Sequence, residues 1–227
     1  MTGRKRGLFI VLEGLDGAGT TTQAKMLSKY LQGKGLRVLL TNEPTDEPVG
    51  KLIRDSLSGK ITSPRTGKRT GFSEGALCLL FAADRLEHSR PVEDARRKGT
   101  HVICDRYILS SIAYQSLDPS ISPRRVVEVN RGCAIPDVTF LLRVPVAECL
   151  ARLKQRNDTP TIYERKAKLE RIDRNYRAAR KLYETVFGPL VVIDGAAPKD
   201  EVHAAIVAEL NLRGWSLGTR GKSSPPR

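Results

Sequence analysis

Between Glu13 and Thr22 the chain reads Glu-Gly-Leu-Asp-Gly-Ala-Gly-Thr-Thr-Thr, and no other stretch constrains the fold as strongly. Before it, Phe9-Ile10-Val11-Leu12 is an unbroken apolar, partly β-branched run, the pattern of a strand buried on both faces. After it, Ala24, Leu27, Tyr30 and Leu31 recur at helical spacing until Gly33-Lys34-Gly35 stops the helix. Strand, glycine-rich turn and helix fit the P-loop pattern G-x-x-x-x-G-K-[ST] at every fixed position but one. The glycines let backbone N–H groups turn inward around a phosphate, and the helix N-terminus adds the positive end of its dipole. Gly14, Leu15, Asp16, Gly17, Ala18, Gly19, Thr20 and Thr21 are therefore the expected nucleotide-binding residues. Thr21 takes the hydroxyl position that ligates Mg²⁺. Thr20 stands where the pattern has lysine. It can donate a hydrogen bond but carries no charge. A charged donor is worth roughly 1.5–3 kcal/mol. Its uncompensated loss slows phosphoryl transfer about ten- to a hundredfold or more.

Downstream, strand-like and helix-like segments alternate. RVLLT (37–41), HVICD (101–105), VTFLLRV (138–144) and LVVID (190–194) are expected strands. Between them fall a short helix over 49–57, a mostly helical stretch over 73–98, and a helix opened by Ser122-Pro123. Further helices start at Val146 and Tyr163, and 199–212 closes the chain. Pro91 marks a kink or a fresh helix start. Residues 60–71 hold three glycines or prolines and four basic residues, and are expected to form a loop. The alternation implies an α/β fold, a P-loop-type parallel five-stranded sheet with helices on both faces. Ligands of such sheets collect at the carboxyl ends of the strands. That rim holds Glu13 to Thr22, Asn42-Glu43-Pro44 and Asp105-Arg106-Tyr107.

With 227 residues the chain fits one domain, expected over 8–213, after a basic extension over 1–7. No apolar run approaches the roughly 20 residues of a membrane span, and no signal-peptide pattern is present. The four cysteines are far apart without a CxxC pair, so neither a zinc site nor a disulfide framework is suggested, and cytoplasmic thiols are expected. The net charge of +14 fits polyanionic partners. Residues 152–181 carry eleven Lys/Arg against four Asp/Glu, and the tail over 214–227 is basic and expected to be disordered. The sequence contains no recognised nucleic-acid motif, so nucleic acid is not the expected partner.

Four groups of residues, in register, resemble the thymidylate kinase family. They are Glu13 to Gly19 with Thr21-Thr22-Gln23, then Glu43-Pro44, then Phe81-Ala82-Ala83-Asp84-Arg85, then Asp105-Arg106-Tyr107 with Ser110-Ser111 and Ala113-Tyr114-Gln115. The similarity runs from Leu8 to about Leu212, close to the bacterial type but with Thr20 for the P-loop lysine.

The resemblance implies transfer of the γ-phosphate of ATP to dTMP, with Mg²⁺, in a cytoplasmic homodimer. It implies that Phe81 stacks on thymine and that Arg85, four residues on, addresses a base carbonyl. Ser111 hydrogen-bonds the base edge with Gln115 nearby, and Tyr114 crowds the sugar 2′ position. Asp16 holds the sugar 3′-hydroxyl or acts through Mg²⁺. Arg106 and Arg54 contact the monophosphate, for which arginine's planar fork is suited. Glu43 and Pro44 line the acceptor site, and Asp105 helps to place Mg²⁺. Asn42 departs from the bacterial form, which carries arginine there. A short mobile lid is expected over about 152–166, with Arg152 and Arg156 as catalytic cations beside Arg106 and Asp16. Thr161-Ile162-Tyr163 stand where a further lid arginine belongs, and Arg165, Lys166 and Lys168 follow. Other readings left open are a kinase of another deoxynucleotide and a low-turnover nucleotide-binding relative.

Overall fold

The computed structural model describes residues 6–155 and 162–213, the side chains of 162–165 excepted. Arg156, the side chain of Arg165, the middle of the expected lid and the tail from 214 lie outside the described residues.

Strands β1 (Phe9–Gly14), β2 (Val38–Asn42), β3 (His101–Asp105), β4 (Val138–Arg143) and β5 (Leu190–Asp194) form one sheet in the order β2-β3-β1-β4-β5. Every pairing is parallel. Parallel neighbours need crossovers, and the helices supply them. Helices α1 (Thr20–Gly33) and α8 (Lys199–Leu212) pack together over one face. Helices α3 (Glu74–Arg97), α4 (Ile108–Gln115), α5 (Pro123–Val129) and α7 (Ile162–Phe187) cover the other. Helix α2 (Pro48–Leu57) packs on α3, and α6 (Val146–Lys154) on α7.

With both faces covered, Phe9, Ile10, Val11 and Leu12 of β1 are all 0% exposed. Full burial of such side chains contributes about 1.5–3 kcal/mol each, which anchors the strand that carries the P-loop. The chain order changes direction at β1, between β3 and β4. A crevice opens there beyond the carboxyl ends of the strands. Register puts Leu12 and Asn42 both beside Asp105, and Gly14 beside Leu142, so the motif residues share one rim.

Helix starts follow side-chain capping. Ser73 accepts from Ala76 N at 3.3 Å and Ser122 from Arg125 N at 3.2 Å, with Pro123 in the first turn of α5. Helix α3 runs through Pro91 without restarting. Glu87 and Pro91 are both exposed, so water can take the carbonyl that the proline leaves without a donor. Residues 60–71 are a loop, closed by an antiparallel bridge between Thr62 and Arg69.

Candidate active site

The turn after β1 is shaped by Gly17 and Gly19, with φ of 87° and 94°. Gly17 is irreplaceable for a second reason: a Cβ there would lie 2.6 Å from the carbonyl oxygen of Cys149 on α6. Thr20 opens α1 and is buried. Thr21 Oγ1 donates to Asp105 Oδ2. The other oxygen, Asp105 Oδ1, is buried without any hydrogen-bond partner. Hydroxyl and carboxylate oxygens are the donors a hard divalent cation takes, and an orphaned carboxylate oxygen calls for one. The residues therefore fit Mg²⁺.

Arg106, just past β3, has φ of 69° and is the one non-glycine residue with positive φ among the described residues. Such backbone costs about 1–3 kcal/mol and persists where the surroundings impose it. Here Arg106 N bonds Leu12 O at 2.8 Å, while Nη1 donates to Gly14 O at 2.9 Å and to Ser110 Oγ at 3.2 Å. Nη2 reaches Asp16 Oδ1 at 2.7 Å, and the guanidinium lies 5.3 Å from the Tyr114 ring centre. The Tyr114 hydroxyl in turn accepts from Asp16 N at 3.2 Å. Asp16, Arg106 and Tyr114 thus form one contact group at the mouth of the P-loop.

Beside it opens a cavity of about 690 Å³. Phe81, Arg85, Ser111, Tyr114 and Gln115 line it together with Glu43, Pro44, Asp16 and Arg106. Its floor is a buried ion pair. Arg85 Nε lies 2.7 Å from Glu43 Oε2, with side chains 1% and 2% exposed. Arg85 also donates to Ser111 Oγ at 2.9 Å and to Asn130 Oδ1. The other Glu43 oxygen sits 2.9 Å from His88 Nδ1, and His88 Nε2 is 2.9 Å from Thr41 Oγ1. Breaking one partner of such a pair strands a buried charge. Gln115 is 3% exposed and neither its amide oxygen nor its amide nitrogen has a partner. Arg54 is not brought into this lining. It bonds Pro44 O at 2.7 Å and pairs with Asp46 at 3.0 Å.

Beneath the P-loop lies a carboxylate that the motif reading quoted without a role. Glu13 is 0% exposed. It accepts from Tyr107 N at 2.9 Å, from Ser110 N at 3.0 Å and from Ser110 Oγ. Burial pushes its pKa up, against the lowering effect of Ser110 and Arg106.

A second cavity, of about 650 Å³, opens on the other side of the P-loop. Gly17, Ala18 and Gly19 meet Gln23, Arg152, Gly195 and Lys199 there. Arg152, on α6, holds Gly195 O at 3.1 Å and pairs with Glu148, its Nη1 3.5 and 3.4 Å from Gly17 O and Ala18 O. This cavity went unread in the sequence, although Asp194-Gly195 at the end of the fifth strand was the available signal. Of the later cations, Lys168 lines the first cavity and Lys166 is 3.9 Å from Glu170.

Comparison with known proteins agrees with this geometry. The sequence model described as thymidylate kinase matches residues 12–206. A probable thymidylate kinase of Pyrococcus horikoshii is 41% identical over 205 residues, covering 89% of this chain and 95% of its own. That of Methanocaldococcus jannaschii is 37% identical over 204 residues, with the same coverage of 89% and 95%. In fold, the thymidylate kinase of Candida albicans superposes with a TM-score of 0.69 at 24% identity, covering 92% of this chain and 93% of that one. A P-loop at the switch point, a neighbouring cavity lined by the residues expected for the acceptor, Arg54 apart, and these relatives agree: the chain belongs to the thymidylate kinase family.

Proposed function

We propose that the chain transfers the γ-phosphate of ATP to dTMP, giving dTDP and ADP. The position of Arg106 carries this reading. Its guanidinium lines the acceptor cavity while it grips the P-loop through Gly14 O and Asp16. A monophosphate seated on Arg106 would lie beside the P-loop, with the donor nucleotide's base and ribose in the second cavity. Thr21 and Asp105 would hold Mg²⁺, which neutralises charge on the transferred phosphoryl group. The chain's own residues align the two anions and offset their repulsion; no covalent intermediate is needed.

At the base, Phe81 would stack on the ring. Three of the five N–H groups of Arg85 are hydrogen-bonded, one each to Glu43, Ser111 and Asn130, which leaves donor capacity for a base carbonyl. An arginine only donates, so cytosine's amino group is rejected there. The Gln115 amide offers one donor and one acceptor, the complement of thymine's N–H beside C=O. Tyr114 would face the sugar 2′ position. Arg54 would join the phosphate by turning from Asp46, an exposed and therefore weak pair. Arg152, like Arg106, is held against the P-loop, and its place at the carbonyls of Gly17 and Ala18 on the donor side supports it as the charge that offsets Thr20.

The chain would act as a homodimer. Leu79, Ala83 and Leu86 are exposed at helical spacing on one face of α3, Leu79 and Leu86 at 53% and 50%. All four cysteines are free and buried, which supports a reducing, cytoplasmic setting. ADP formation with ATP, Mg²⁺ and each nucleoside monophosphate in turn tests the reading. The highest kcat/KM is expected for dTMP, at least tenfold above dCMP; equal rates for both would remove Arg85 and Gln115 from base selection.

A further inference from the structure

Helix α7 reaches the P-loop through Tyr176, which is 3% exposed. Its hydroxyl lies 3.0 Å from Gly14 O and 2.8 Å from Ser110 Oγ. Those two oxygens are the ones that receive Arg106 Nη1, at 2.9 and 3.2 Å. Ser110 spends its only proton on Glu13 Oε2, so its oxygen is left to accept. Tyr176 can then give its own proton to Gly14 O or to Ser110 Oγ, both closer than Glu13 Oε2 at 3.4 Å. With either of the two nearer partners, it helps to fix an acceptor that orients the arginine. The ring stands edge-on to Tyr114, centres 6.3 Å apart, and that residue is the other wall of the Arg106 site. The same stretch of α7 is tied to the α4 side by Asn175 to Ala113 O at 2.9 Å and Arg171 to Leu117 O at 2.6 Å. Two turns further on, Tyr183 is also buried but bonds Thr139 Oγ1 at 2.7 Å, away from Arg106.

We propose that Tyr176 is a positioning residue for phosphoryl transfer: acting through Gly14 O and Ser110 Oγ, it sets how Arg106 presents its guanidinium to the acceptor phosphate. This rests on the reading of Arg106 as the ligand of that phosphate. It assigns to the helix that follows the lid region a direct hold on the catalytic geometry.

The test compares Tyr176→Phe with Tyr183→Phe, which removes the same hydroxyl from the same helix without touching Arg106. Tyr176→Phe is expected to lower kcat about tenfold, the scale of one lost hydrogen bond, with KM for ATP changed less than twofold. Tyr183→Phe is expected to shift Tm comparably and leave kcat within twofold. In an Arg106→Lys background the Tyr176→Phe loss is expected to shrink to twofold or less, because the group it orients is already altered. Equal kcat for the two phenylalanine variants, or losses that multiply in the double variant, overturn the proposal. If Tyr176→Phe does not fold, Tyr176→Met, which removes the same hydroxyl, carries the same test of multiplying losses against Arg106→Lys. Calorimetric titration of the unaltered enzyme with dTMP separates the two failures. An enzyme that does not bind dTMP sinks the functional reading. One that binds it and turns over but ignores Tyr176→Phe sinks this proposal alone.

Discussion

At the scale of single residues, the site combines one imposed strain with one missing charge. Arg106 is held at positive φ because its backbone N–H, its guanidinium and the following amide of Tyr107 all find fixed partners. Thr20 leaves the P-loop one cation short, and Arg152 is held against the carbonyls of Gly17 and Ala18. Arg152→Ala is therefore expected to lower kcat by about tenfold or more, since a charged donor is worth roughly 1.5–3 kcal/mol. Thr20→Lys in that variant should recover part of the loss, and in the unaltered chain should do little. A rise of orders of magnitude from Thr20→Lys alone, with Arg152→Ala silent, contradicts compensation. Glu13 gives a thermodynamic signature. Burial raises its folded pKa above the unfolded 4.5, so the folded state binds the proton more tightly. Stability from this group is then fully present below pH 4.5 and is lost as pH rises through the folded pKa. The stability advantage over Glu13→Gln, from urea unfolding across pH, is expected to shrink as pH rises; an advantage that grows with pH would assign the shift the wrong sign.

At the scale of elements, legibility followed how local each signal was. The P-loop, its strand and its helix are contiguous, and their pattern was complete apart from Thr20. Helix α4 was not read, although its residues were noted: Ile108–Gln115 is buried on most sides, so it shows no polar face for periodicity to reveal. Pro91 suggested a kink or a fresh helix start because proline removes a donor, yet the helix does not restart, and on an exposed face water substitutes. The fixing of Arg85 by Asn130, 45 residues away, and the meeting of Tyr176 with Glu13, 163 residues away, leave no trace in local pattern. The second cavity is built from the P-loop, α6 and the turn after β5, and only the fold brings these together. The exposed apolar stripe on α3 has its own test. On the proposed homodimer, Leu86→Glu is expected to shift the light-scattering mass from two chains towards one, with the circular dichroism unchanged; a mass of two chains in the variant would move the interface elsewhere, and a mass of one chain in the unaltered protein would contradict the dimer.

At the scale of the molecule, two cavities flank the P-loop at the centre of a sheet whose middle strand is wholly buried. That arrangement suits transfer between two bound anions better than attack by water. The test is the fate of the γ-phosphate. ³¹P NMR of the chain with ATP, Mg²⁺ and dTMP is expected to show the ATP γ-signal reappear as the β-phosphate of dTDP, with inorganic phosphate a minor product. Inorganic phosphate as the main product, with dTMP unchanged, would contradict it.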